Sequence, residues 1–233
     1  MGAWLGPPDT ANYKRITLTT QASPTMPHRE TRWWWIRHAP VIQSENRIYG
    51  QTDLPCDCSD SVLFGALAQA LPRKAVLITS DLQRAVNTAA AIAAAGLEMP
   101  EGILDMALRE QHFGDWQGEM REEFFAQRGG HVQGSWIAAP DERAPNGESF
   151  ADLVARVIPA VERYTVDHGE KDIICVAHGG TIKAALGHAL KLSHEQALAF
   201  QLANCSVTRL DHTVRDNGDE SWRVAMVNWL PHR

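Results

Sequence analysis

The chain has little of what would commit it to a membrane, a nucleic acid or an oxidising compartment. No apolar run approaches the roughly 20 residues that a membrane span needs, so no membrane partner is expected. Basic residues are in the minority: 22 Lys and Arg against 28 Asp and Glu give a formal charge of -6 over 233 residues. Bulk binding to nucleic acid or to an anionic surface rewards the opposite sign, so neither is expected, though a local basic pocket stays open. Cysteines number four. Cys56-Asp57-Cys58 lacks the two-residue spacer of a zinc knuckle or redox motif, and no second pair follows it, so reduced thiols and no metal are expected. No secretory pattern opens the chain, which makes the cytoplasm the expected compartment. There is no internal repeat and no low-complexity segment.

What remains is an ordinary globular composition. A 44% hydrophobic share supports a sizeable core, and the length suits one domain with an extension. Residues 1–30 carry Gly2, Gly6, Pro7, Pro8, Pro24 and Pro27 among small polar residues without amphipathic period. They read as a flexible N-terminal extension to a domain over 31–233. The domain is organised around Trp33-Trp34-Trp35-Ile36-Arg37-His38, an apolar run that stops at two basic residues. Four bulky apolar residues in a row suit a strand buried on both faces. Its carboxyl end, where Arg37 and His38 fall, is where open α/β sheets bind ligands. By itself such an ending would be a strand followed by solvated charges. The device recurs, however: 75–79 runs into Ser80 with Arg84 just beyond, and 172–177 runs into His178-Gly179-Gly180. If the three strands are parallel, two arginines and two histidines share one rim.

Between these strands the pattern predicts helices from Asp60 or Ser61 to Leu71, from about Leu82 to Ala95, from Phe150 to Tyr164 behind a Ser149/Asp152 capping box, and from Thr181 to about Leu190. Pro159 is expected to kink the third of these. Ser193 is expected to cap a short helix over 194–200. Ile103 to Leu108 reads as a short strand that presents Arg109-Glu110. Two strands near 206–210 and 222–227, joined through Asn217-Gly218, read as a hairpin. Residues 39–60 read as an ordered loop over the strand ends. Residues 119–147 begin helically, break at several glycines and prolines, and read as a lid-like insertion. The fold expected is a three-layer α/β/α sandwich with a mainly parallel sheet.

A phosphoryl group carries its charge on three peripheral oxygens, so a catalyst needs fixed positive donors and a nucleophile in line. Arg37 and Arg84 offer planar forks that match phosphate oxygens. Gly179-Gly180 lets backbone N–H groups approach an anion at a helix start. One histidine could be the nucleophile and the other a donor. A carboxylic acid must protonate the departing alkoxide. Glu110 leads, with Asp53, Asp81 and Asp115 competing on spacing.

Arg37-His38 after a first strand, Ser80 to Ala89, Leu108-Arg109-Glu110 with Phe113 to Gly118, Asn146-Gly147-Glu148-Ser149 and Ala177-His178-Gly179-Gly180-Thr181 together resemble the histidine phosphatase (phosphoglycerate mutase-like) superfamily. They match it in order and rough spacing over about residues 33–185. The resemblance implies His38 as the phosphorylated nucleophile, Glu110 as proton donor, and Arg37, Arg84 and His178 as a clamp on the phosphoryl group. It implies metal-independent phosphomonoester hydrolysis without a cofactor. Two positions depart from the pattern. Ala39 stands where the family usually has glycine, and the family's phosphate-binding asparagine has Gln43, Ser44 or Asn46 as replacements. Ser44, Asn46, Gln51 and Gly179 are the substrate-binding candidates. The stretches Gly50 to Pro55 and Phe113 to Gly118 are similar to those of small bacterial phosphatases of the α-ribazole phosphatase type. Phosphoglycerate mutase-type transfer ranks below hydrolysis, because the insertion offers only Arg121, Arg128, His131 and Arg143 for a second anionic group. A non-catalytic phospho-ligand-binding protein of the same fold is the rival from another class. The partner expected is a small phosphorylated substrate, and a homodimer stays open.

Overall fold

A computed structural model describes residues 28–130 and 136–231. The expected N-terminal extension lies mostly outside the described residues, but its boundary moves, because the first strand, β1, already begins at His28 and runs to Arg37. The elements that follow are α1 (Ser61–Ala70), β2 (Ala75–Thr79), α2 (Gln83–Ala94), β3 (Ile103–Leu104), α3 (Arg121–Gln127), α4 (Phe150–Asp167), β4 (Asp172–Ala177), α5 (Gly179–Leu190), α6 (His194–Leu198), β5 (Val207–Arg215) and β6 (Glu220–Trp229). One six-stranded sheet has the order β3-β2-β4-β1-β5-β6. Its pairings from β3 through β1 are parallel, while β5 and β6 join antiparallel. The sheet is therefore mixed, parallel where the candidate residues sit.

Alternation along β1 decides which helices cover which face. Trp33 and Trp35 stack with ring centroids 4.8 Å apart and pack with Phe150, Leu153 and Val157 of α4 and Ile182 and Leu186 of α5. Ile36 faces the other way, into a cluster with Leu63 and Leu67 of α1 and Ala85 and Ile92 of α2. Trp34 shares that second face but is only half-buried. Its indole N–H reaches Asp172 at 2.8 Å, and Arg209 covers its ring. The two clusters make the three layers, and each buried Leu, Ile or Val contributes about 1.5–3 kcal/mol.

The helix caps stand where they were read. Asp60 caps α1 by accepting from the Leu63 N–H, and both halves of the Ser149/Asp152 capping box are present. Pro159 sits within one continuous helix. Three readings need correction. The strand expected from 103 to 108 is two residues long and gives way to a 3₁₀ turn over Met106–Leu108, because the Asp105 carboxylate accepts from the Ala107 N–H and folds the chain back. Helix α5 begins at Gly179 rather than Thr181, with His178 extended at its N-cap. The closing hairpin extends further than expected, since β5 continues along β1 to His28 and β6 follows β5.

Candidate active site

Three parallel strand ends meet in register. Arg37 pairs with Ala177 and Thr79 with Val176, so His38, His178 and Ser80 are the next residues of adjacent strands. The His38 N–H donates to the Ala177 carbonyl at 3.0 Å, and the Ser80 N–H to the Val176 carbonyl at 3.1 Å. The rings of His38 and His178 have centroids 5.1 Å apart, and both residues are buried. His38 Nδ1 lies 2.7 Å from the Ala39 carbonyl oxygen. A carbonyl only accepts, so Nδ1 carries the proton and Nε2 keeps its lone pair.

Burial, then Arg84 and Arg37, hold the pKa of His38 well below the usual histidine value. Burial, Arg84, His38 and Arg37 do the same to His178. Both imidazoles are thus neutral near pH 7, as a nucleophile requires. The turn beneath them accommodates the family departure. Ala39 lies wholly in the core, its N–H donates to Thr88 Oγ at 2.8 Å, and it is not among the positive-φ residues. Asn204, not anticipated from sequence, donates to the His38 carbonyl at 2.7 Å.

The cations are held by one edge and open at another. Arg84 donates to the carbonyls of Gly50 at 2.6 Å and Thr52 at 2.8 Å, and Arg37 to that of Leu202. Their Nε atoms, and both ring nitrogens of His178, are buried without a hydrogen-bond partner. These are four of the eight such side-chain atoms among the described residues. Buried polar groups are rarely left so, and here they gather around His38.

A cavity of about 190 Å³ adjoins this cluster through Arg37, while His38, Arg84 and His178 lie buried behind its wall. Arg37, Glu110 and Gly179 line it, together with Tyr49, Gly50, Phe113, Arg121, Trp136, Ile137, Lys183, Phe200, Gln201 and Leu202. Of the four competing carboxylates only Glu110 is there. Asp53 accepts from the Gln83 N–H at the start of α2, Asp81 forms a two-pronged ion pair with Arg109, and Asp115 takes the Asn146 amide. Glu110 accepts from the Gly180 N–H at 3.1 and 3.2 Å, at the positive end of α5, and from the Gln111 N–H at 2.9 Å. A Cβ on Gly180 would stand 2.3 Å from Glu110 Oε1, so the second glycine of His178-Gly179-Gly180 makes room for the carboxylate.

The substrate-binding candidates divide. Gly179 lines the cavity, whereas Ser44, Asn46 and Gln51 do not. Asn46 faces a separate depression beside α3. Gln51 donates to the Glu110 carbonyl at 2.9 Å, so it supports the site from behind. Within residues 41–47, Gln43, Glu45 and Asn46 all have positive φ.

Two further cations stand in the wall: Arg121, one of the basic residues noted in the insertion, and Lys183, not singled out from sequence. Arg121, at the start of α3, has no ion-pair partner among the described residues, and burial lowers its pKa. Lys183, on α5, donates to the Leu198 carbonyl at 2.9 Å and lies 4.5 Å from the Trp136 ring centre; burial pushes its pKa down to about 8. Its position at the second turn of the helix after His178 was the available signal. Among the described residues no three His, Cys, Asp or Glu side chains gather as a metal would need, and no helix is long and apolar enough to cross a membrane.

Comparison with known proteins points to one family. A 2,3-bisphosphoglycerate-dependent phosphoglycerate mutase of Gloeobacter violaceus is 32% identical over 76% of this chain and 84% of its own. A glucosyl-3-phosphoglycerate phosphatase of Mycolicibacterium vanbaalenii is 30% identical over 86% and 95%. A provisionally named α-ribazole-5′-P phosphatase of Escherichia coli superposes at TM-score 0.67 over 87% and 99%, at 19% identity, which speaks for the fold alone. The family profile described as histidine phosphatase superfamily (branch 1) matches residues 33–229. The chain therefore belongs to the histidine phosphatase superfamily, in which a phosphohistidine mechanism is typical.

Proposed function

We propose that this protein hydrolyses a small phosphomonoester, without a metal, through a phosphohistidine on His38. The observation that carries the reading is the set of four unpartnered nitrogens on Arg37, Arg84 and His178 around His38. Phosphoryl oxygens would take the two Nε–H groups and the one ring N–H that a neutral His178 carries, and the charge a metal would otherwise supply comes from two guanidinium groups. His38 Nε2 attacks phosphorus in line, the P–O bond to the leaving group breaks, and Glu110 gives its proton to the departing oxygen. In the second half, Glu110 takes a proton from water as that water attacks phospho-His38. Phosphate leaves and His38 is regenerated. Residues 119–130 and 136–147 serve as a lid, a reading supported by Trp136 and Ile137 in the cavity wall.

Arg121 and Lys183 favour a substrate with a second anionic group. Both relatives of about 30% identity are named for phosphoglycerate compounds, in which a carboxylate accompanies the phosphate. The same two cations favour the second reading, mutase-type transfer. One experiment separates these readings. Brief incubation with ³²P-labelled 3-phosphoglycerate and an alkaline quench should leave acid-labile, base-stable label on the protein, absent in His38→Ala. Continued incubation should release inorganic phosphate; accumulation of 2-phosphoglycerate instead would establish the mutase, and label persisting in His38→Ala would refute the assignment.

A further inference from the structure

Glu110 stands on a segment that no strand supports, since β3 ends at Leu104 and a 3₁₀ turn occupies Met106–Leu108. The carbonyls that follow need partners from elsewhere, because buried backbone oxygens are seldom left unpaired. Arg156, two turns into α4, reaches three of them, sharing the Arg109 carbonyl with Thr181 and the Glu110 carbonyl with Gln51. Its Nη1 donates to the carbonyls of Ala107 at 2.9 Å and Arg109 at 3.1 Å, and its Nη2 to that of Glu110 at 3.3 Å. The same guanidinium is held by Glu148 through Nη2 and Nε. Glu148 in turn secures the far side of the segment: its Oε1 accepts from the His112 N–H at 2.9 Å, and its carbonyl accepts from Gln111 Nε2 at 2.9 Å. Two side chains thus grip residues 107–112 on both sides of Glu110.

We infer that Arg156 and Glu148 are positioning residues, which place the Glu110 carboxyl against the leaving oxygen without touching substrate. The inference rests on Glu110 being the proton donor. The polar atoms of both side chains are taken up by residues 107–112 and by each other, so their loss reaches the chemistry through Glu110. Only a planar fork can serve several carbonyls and a carboxylate at once, so lysine does not substitute for Arg156. Arg156 also adds a small charge effect on His178, the last of several. That effect would act on all esters alike, which separates it from a displaced acid.

The experiment compares Arg156→Ala, Arg156→Lys, Glu148→Gln and Glu110→Gln in single-turnover phosphorylation by an alkyl phosphate and by p-nitrophenyl phosphate. A nitrophenolate leaves without a proton, so misplacing the acid slows the alkyl ester selectively. An acid misplaced by about 1 Å costs on the order of 10²-fold. Arg156→Ala should lose about that factor with the alkyl ester and only a few-fold with the nitrophenyl ester. Orthovanadate, which reports the phosphoryl pocket, should bind nearly as in the parent. Added guanidinium ion should recover much of the alkyl-specific loss, Arg156→Lys should recover little, and Glu148→Gln should lose less in the same direction. Arg156→Ala placed on Glu110→Gln should add no alkyl-specific loss. Equal losses on both esters in Arg156→Ala and Glu148→Gln, or parent rates in both, would overturn the inference while Glu110→Gln stays selective. If Glu110→Gln slows both esters equally, the proton-donor reading fails instead, and the inference with it. Should Arg156→Ala not fold, the ester ratios of Arg156→Lys and Glu148→Gln decide the question.

Discussion

Substituting Gly180 by alanine separates the placement of Glu110 from the stability of the fold. The new Cβ would stand 2.3 Å from Glu110 Oε1, 3.1 Å from Leu153 Cδ1 and 3.2 Å from Trp136 Cζ2. Ordinary contact begins near 3.4 Å, so the carboxylate must retreat by about 1.1 Å while the other two atoms give by a few tenths. Glu110 meets the methyl with the far end of a flexible side chain, so the backbone can stay where it is. Gly180 lies inside α5 and is not a positive-φ residue. Alanine there favours the helix by roughly 0.5–1 kcal/mol, which offsets the crowding. Thermal denaturation should therefore show a midpoint close to the parent's. Catalysis should not survive so well. A shift of about 1 Å costs on the order of 10²-fold, or about 2.7 kcal/mol of barrier. The assay is single-turnover phosphorylation by an alkyl phosphate, run beside the melting curve. Parent-like rates in a stable Gly180→Ala protein would refute the claim that the carboxylate acts from where it is seen. A large fall in the midpoint would refute the argument that only the side-chain end must move.

Three further outcomes follow from the charges. With its pKa at about 8, Lys183 loses its proton as pH rises through that value, so KM for 3-phosphoglycerate should climb above pH 8 and Lys183→Met should abolish that limb; a parent KM flat from about pH 7 to 9 would count against the role. His38 and His178 have depressed folded-state pKa values, so the unfolded chain binds protons near pH 6.5 that the folded chain refuses. Their contribution to stability is present above about pH 6.5 and lost below it, and the melting midpoint should fall less steeply with acid in His178→Gln than in the parent. Chelation should leave phosphatase activity nearly unchanged, and a large loss restored by Zn²⁺ or Mg²⁺ would overturn the charge assignment to Arg37 and Arg84.

The sequence by itself determined what depends on neighbours along the chain. Strands at 75–79 and 172–177 are legible because parallel strands buried on both faces need continuous apolar runs. The caps at Asp60, Ser149 and Ser193 are legible because each cap bonds within three residues of itself. Arg37, His38, Arg84 and His178 were picked out for the same reason: each stands where an apolar run ends or a helix begins. Tertiary structure decided the rest. Nothing local distinguishes Glu110 from Asp53, Asp81 or Asp115; what separates them is that Arg109, Asn146 and the start of α2 occupy the aspartates. The grip of Arg156 on residues 107–110 spans more than 45 positions, and Gly180 receives the Glu110 carboxylate across 70. Arg121 and Lys183 likewise become wall residues of one cavity only when α3 and α5 are brought together. Periodicity and capping are local patterns, whereas a cavity is made of whichever distant side chains the core packs against one another, and spacing along the chain does not encode that.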